Sequence, residues 1–277
     1  MQHSYVERLP VPALADLVSA VFVQRVDPGG AAFRHRSVPT GSAELTCRIG
    51  ATPAVLGPRT GPVTQLLAPG TTVVGLRLRP GAAPAVLGLP ASEVAGRELD
   101  AGAVWGRGAA QLVGELVAAA PSPWHALAVL QAHVVDRRTD ADRPDPLVAD
   151  AVRHLMPGRA GSVTELTSTL RVSDRNLRRR CLAAVGMPPK TLHRLLRFQG
   201  VLAATQRAIA QGRRPAEGGL SRLAADAGYA DHSHLDRECR RLTGTSVRAF
   251  LLETAGQCAA GHDHAASYTA LLPDVRH

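Results

Sequence analysis

No two of the four cysteines, Cys47, Cys181, Cys239 and Cys258, form a CxxC pair, so neither a zinc ribbon nor a disulfide framework is indicated and reduced thiols are expected. No run approaches the roughly 18 apolar residues that span a bilayer. The first thirty residues carry Glu7, Asp16 and Asp27 in place of a signal-peptide pattern, so the chain is expected to be soluble and cytoplasmic, with no membrane partner. There is no Gly-rich phosphate loop and no locally supported Ser/His/Asp set, so no cofactor and no catalytic site is predicted. The competing class is a cupin-like metal- or small-molecule-processing enzyme, which needs several histidines converging on one face. Before Trp105 the chain offers only His3 and His35, and no His-x-His pair. Cys258, His262 and His264 could hold a soft metal, but their Gly/Ala-rich surroundings read as an unordered tail, and no metal is assigned. Lysine is nearly absent too: Lys190 stands alone, a bias of composition and not of function.

What is present is arginine, unevenly placed. Residues 1–144 hold 13 Arg and 11 acids, whereas 145–277 hold 18 Arg, one Lys and 12 acids, so the formal charge of +9 lies mostly in the second half. Basic excess on one part of a chain is the footprint of a polyanion binder. In the first part, the apolar stretches Leu17–Val26, Ala43–Ile49, Val63–Leu67 and Thr72–Leu78 are separated by punctuation such as Pro28-Gly29-Gly30 and Pro80-Gly81. This predicts a β-sandwich or barrel. After Trp105 the period becomes helical, with Leu112, Val113, Leu116 and Val117 on one stripe and Leu127, Val129, Leu130 and Val134 on the next. These are candidate dimerisation or interdomain helices. The predicted fold class is α+β and multidomain: residues 1–140 form an N-terminal β-sandwich or barrel-like effector and dimerisation domain with helices after 105. Residues 141–146 are a linker, 147–255 an all-α domain, and 256–277 a flexible tail.

The all-α part contains two copies of one pattern. In the clearer copy, Leu220–Gly244, a short apolar-faced helix leads through Gly228 into a second helix starting at His232, with Asp231 as N-cap. Three- and four-residue spacing puts Ser233, Asp236, Arg237 and Arg240 outward and Leu235, Cys239 and Leu242 inward. The weaker copy runs from Ser162 to Gly186. Ser173 opens its second helix, which turns Arg175, Arg178 and Arg179 to one face and Leu177, Cys181 and Leu182 to the other. A helix from about Lys190 to Gln211, with Leu192, Leu195, Leu196, Gln199, Leu202 and Ala203 inward, should fix the distance and phase between the copies. Each copy suits a helix laid in a DNA major groove. Ser233 and Arg237 are assigned to base reading, because an arginine fork matches guanine N7 and O6. Arg240 or Arg241 is assigned to phosphate and Arg180 to backbone, with His232 and Asp236 on the same helix end.

Through Leu223-Ala-Ala-Asp-Ala-Gly-Tyr-Ala-Asp-His-Ser-His-Leu-Asp-Arg-Glu-Cys-Arg-Arg-Leu-Thr-Gly244, residues 147–252 resemble the DNA-binding domain of the AraC/XylS family of bacterial transcription regulators. Ala224, Gly228, Tyr229, Asp231, Ser233, Arg237 and Gly244 fall as that family's pattern requires. The resemblance implies a double helix-turn-helix domain that binds double-stranded DNA in a sequence-specific way. Leu235 and Cys239 replace usual phenylalanines, and Ser246 a usual proline. Gly57-Pro-Arg-Thr60 and Val74-Gly-Leu-Arg-Leu-Arg-Pro-Gly-Ala82 resemble the β-rich N-terminal domains of a subset of these regulators. A homodimer is expected. Arg77 and Arg79, two cations on one strand face, either stay solvated or pair with Glu44 or Glu93, or mark an effector pocket suited to an anionic or polar compound.

Overall fold

The computed structural model describes residues 3–138, 143–158 and 163–271. The expected start of the first helix pair at Ser162, part of the linker and the last six residues lie outside them. The first part of the chain contains strands β1 (His3–Arg8), β2 (Val18–Val26), β3 (Phe33–Ser37), β4 (Glu44–Arg48), β5 (Ala54–Leu56), β6 (Val63–Leu67) and β7 (Thr72–Leu78). Short helices α1 (Ala83–Leu87) and α2 (Ala91–Val94), strand β8 (Glu98–Asp100) and helices α3 (Gly102–Trp105), α4 (Arg107–Ala119) and α5 (Pro123–Asp136) follow. Then come α6 (Pro146–Leu155), α7 (Val163–Thr169), α8 (Asp174–Val185), α9 (Pro189–Ala210), α10 (Leu220–Asp226), α11 (His232–Thr243), α12 (Val247–Ala259), β9 (His262–Asp263) and α13 (Ala265–Leu271).

Seven strands form one sheet in the order β8-β5-β4-β7-β2-β1-β9, antiparallel except for β1 with β9, and β3 and β6 form a separate antiparallel ribbon. Period-two alternation gives the sheet two unlike faces. Val21 and Val23 of β2, Leu45 and Cys47 of β4, and Val74, Leu76 and Leu78 of β7 join the core with Leu127, Leu130 and Val134 of α5. The opposite face carries Phe22, Gln24, Glu44 and Arg77, with the ribbon over it; Gln24 Nε2 meets His35 Nδ1 at 3.0 Å. Gly75 is required there: a Cβ at this position would sit 2.4 Å from Cζ of Phe22.

On α4 the stripe differs from expectation. Ala110, Val113, Gly114 and Val117 are buried, whereas Leu112 and Leu116 are exposed. Small residues win the inner face because the helix runs close over the Ala51–Thr52 turn, where a Cβ on Gly114 would lie 3.0 Å from the Ala51 carbonyl oxygen.

A second apolar cluster holds the C-terminal helices, with Leu192, Leu195, Leu196, Phe198 and Val201 of α9 among its members. Helix α9 runs as predicted and starts with Pro189 at its first turn, where a missing N–H costs nothing. The expectation of a flexible tail over 256–277 fails for its described part, which runs to Leu271. Helix α12 continues to Ala259, β9 pairs with β1 at Tyr5↔His262 and Val6↔Asp263, and α13 packs on α9, β1 and β2. The two halves also meet where α8 packs on α1 and α2, and where buried Gln199 Nε2 donates to the Pro39 carbonyl at 2.7 Å. Among the described residues no helix is long and apolar enough to cross a membrane.

Candidate nucleic-acid interface

Helices α10 and α11 pack on each other, with α11 on α9, and α7 and α8, consecutive in the chain, each pack on α6 and α9. The second helix of each pair is capped by side chain. Ser173 Oγ accepts the Asn176 N–H at 3.3 Å, and Asp231 Oδ1 accepts the His234 N–H at 2.7 Å. The His234 N–H, with that of Ser233, holds the Asp231 carboxyl below its ordinary value. Each helix ends on a left-handed glycine, Gly186 at φ 78° and Gly244 at φ 76°. Gly228, at φ 71°, makes the turn between α10 and α11.

Inward positions follow the predicted spacing. Leu177, Cys181, Leu235, Cys239 and Leu242 are buried, and Leu182 is half-buried. Burial pushes both the Cys181 and Cys239 thiols up to about 11, so they pack as small neutral groups in equivalent places of the two pairs.

Outward positions divide into free and engaged side chains. Arg175, Arg178 and Arg179 on α8 and His232, Ser233, Arg237, Arg240 and Arg241 on α11 are exposed. Arg179 donates to Asn176 Oδ1 of its own helix at 3.1 Å. Two assigned residues do structural work instead. Arg180 forks onto Asp145 at 2.6 and 2.7 Å, and Asp145 in turn caps α6 through the N–H groups of Leu147 and Val148. Burial opposes the charge on Asp145, yet the Arg180 guanidinium and the capped N–H groups hold its carboxyl below the usual value. Asp236 accepts the Val247 N–H at 2.8 Å, fastening the start of α12, and also takes Arg240 Nε at 2.8 Å. Asp236 is therefore a half-buried capping group and not a free outward contact.

Residues on α9 that the spacing did not single out hold the second pair in place. Arg194 Nη2 donates to both carboxylate oxygens of buried Glu238 at 3.0 and 2.6 Å. The Arg197 guanidinium lies 4.2 Å from the centre of the Tyr229 ring and donates to the Gly228 carbonyl at 3.3 Å. Burial raises the Tyr229 hydroxyl to about 12, with Arg197 offsetting part of the rise.

The expected effector arginines behave differently from each other. Arg77 is fully engaged: Nε donates to Glu44 at 2.7 Å, Nη1 to Glu7 at 2.9 Å and to Ser267 Oγ at 2.8 Å, and Nη2 to the Tyr5 hydroxyl at 3.1 Å. Arg77 therefore offers no free charge to an anion, which removes the premise for an anion-selective pocket around it. Arg79 is exposed, with its Nε on the Ala15 carbonyl at 2.8 Å. Burial alone would raise the Glu7 carboxyl, but Arg77, with His264 and Ser267, outweighs burial and holds it far below the carboxylate range. Among the described residues no group of three or more His, Cys, Asp or Glu side chains could hold a metal ion.

A family model described as a domain of unknown function, DUF6597, matches residues 6–100, from β1 to the end of β8. No curated protein matches the chain. Among solved structures, ToxT from Vibrio cholerae O395 shares 9% identity, over 92% of this chain and 98% of that one, at a TM-score of 0.43. The same protein bound to (E)-4-(8-methylnaphthalen-1-yl)but-3-enoic acid gives 10% identity, over 91% and 98%, at 0.44. Unsaturated fatty acid bound wild-type ToxT from strain SCE256 gives 9%, over 91% and 94%, at 0.41. Overlap this loose assigns no role to any residue here.

Proposed function

We propose that the protein is a sequence-specific, DNA-binding transcription regulator of the AraC type, a cytoplasmic homodimer whose two helix-turn-helix units read adjacent major-groove segments. In this reading residues 147–255 are the DNA-binding domain, and residues 1–140 sense a small molecule and dimerise. The observation that carries it is the repetition. Two capped helices, α8 and α11, each turn exposed arginines outward from a buried stripe, and both pairs pack on one 22-residue helix. A solvated basic face has no need of two matching caps, two matching buried cysteines and a shared spacer. Arg175, Arg178 and Arg179 serve the first segment, and Ser233, Arg237 and Arg241 the second, with His232 and Arg240 flanking.

A random duplex DNA array at two salt concentrations tests it. The expected result is enrichment of particular sequences, with affinity falling as salt rises because phosphate contacts release counterions. No binding, or equal binding of every sequence, would refute the proposal.

A further inference from the structure

A cavity of about 120 Å³ lies between the two halves, with Phe22, Glu44 and Arg77 on one wall, Gln206 of α9 and Glu253 of α12 on the other, and His262 of the C-terminal segment between them. A second cavity of about 220 Å³, beneath the β3–β6 ribbon, shares Phe22, His35, Ser37 and Glu44 with the first. Glu44 thus stands in the partition between them.

The carboxylates here outnumber the arginines: Arg77 is shared by Glu7 and Glu44, Glu253 is paired separately with Arg36 at 3.2 Å, and His264, whose Nδ1 lies 3.7 Å from Glu7, faces that carboxylate and not Glu44. Glu7 is saturated by Arg77, the Tyr5 hydroxyl and the Ser267 backbone N–H. Among the described residues Glu44 has one hydrogen-bond partner, Arg77 Nε on its Oε1, although its side chain is only 15% exposed. Burial lowers His35 and takes His262 to about 3, so both are neutral at pH 7 and add no positive charge. His262 Nε2 is itself buried without a partner among the described residues. A half-satisfied carboxylate beside an aromatic face and uncharged imidazoles suits a ligand that brings positive charge and N–H donors. An anion would meet Glu44 with Arg77 already taken.

We propose that this cavity binds a small organic cation, a primary amine on a short apolar body, with its ammonium on Glu44 and its body against Phe22. The opposite wall belongs to α9 and α12, so the ligand touches both halves at once. The binding stands on the cavity alone, and only its role as the effector rests on the DNA-reading proposal.

Thermal melting of the full chain at pH 7.5 tests it, with butylamine and phenethylamine set against 1-butanol, 2-phenylethanol, butyrate and 3-phenylpropionate. The amines are expected to raise the melting temperature and the matched alcohols and acids not to, since a ligand held by the folded state stabilises it. Glu44→Gln should weaken the amine response at least tenfold in midpoint concentration, and Glu115→Gln, on the exposed side of α4, should leave it intact. Should Glu44→Gln fail to fold, Glu44→Asp keeps the charge but retracts it, and is expected to shift the midpoint in the same direction. An acid-selective response, an amine response indifferent to both Glu44 variants, or no response to either amine overturns the proposal. Amine binding without DNA binding would sink the regulator reading and spare the site; DNA binding without amine binding would do the reverse.

Discussion

Arg179 and Arg237 project from matching helices with their guanidinium groups outward, and each changed to Ala should weaken specific DNA binding by about 1–3 kcal/mol. Titration against single-base variants of a selected site should show preference relaxing at separate positions for the two. Arg241→Ala, by contrast, should weaken all sequences alike. If all three variants kept the parent's preference and affinity, the outward assignment would be wrong. Asp236→Ala should act on stability instead, lowering it by about 1 kcal/mol through loss of the α12 cap, as read by denaturant melting. An unchanged midpoint there would show the cap to be idle. On α11 the outward arginines were legible in the sequence, because helical spacing separates Arg237 from Leu235 and Cys239, although the same spacing misplaced Asp236 there and Leu112 and Leu116 on α4. Which arginines are free was not. Arg180 finds Asp145 at 35 residues' separation and Arg194 finds Glu238 at 44, and no local pattern encodes such partners.

The elements differ in what their ends cost. Gly186 and Gly228 both sit at positive φ, where a side chain is disfavoured by about 1–2 kcal/mol, but a Cβ on Gly186 would also press to 3.0 Å from the Ala91 carbonyl oxygen of α2. Gly186→Ala should therefore lower the melting temperature more than Gly228→Ala; equal losses would mean that the α8–α2 contact yields freely. The β9 segment carries a pH dependence. Burial keeps His262 neutral down to about pH 3, with His264, His3 and His35 nearby adding to the effect, whereas the unfolded chain takes up that proton near 6.5. Stability from this group is fully present above about pH 6.5 and is lost as pH falls towards 3, because the unfolded state then binds more protons. His262→Gln should flatten the fall in melting temperature between pH 6.5 and 5, and a parallel fall in both proteins would contradict this. Strands β6 and β7 were readable to the residue because Pro/Gly turns bound them. The C-terminal segment was not, since its Gly/Ala composition hides contacts made with β1, more than 250 residues away.

Across the whole molecule, one helix joins the units that are proposed to read DNA. Helix α9 is a single 22-residue element with Leu192, Leu195 and Leu196 buried, and its Arg194 and Arg197 bind the second pair. The spacing between α8 and α11 is therefore set by a rigid element and not by a loop. A DNA site that engages both must present its two half-elements about one helical turn apart on the same face. The most direct test takes a site selected from the random duplex pool and inserts about half a helical turn, roughly 5 base pairs, between its two halves. Affinity is expected to drop to that of either half-element alone, and to recover in part when the insertion is extended to a full turn only if α9 bends. Affinity unchanged by the half-turn insertion would contradict a protein that reads two segments through one fixed spacer.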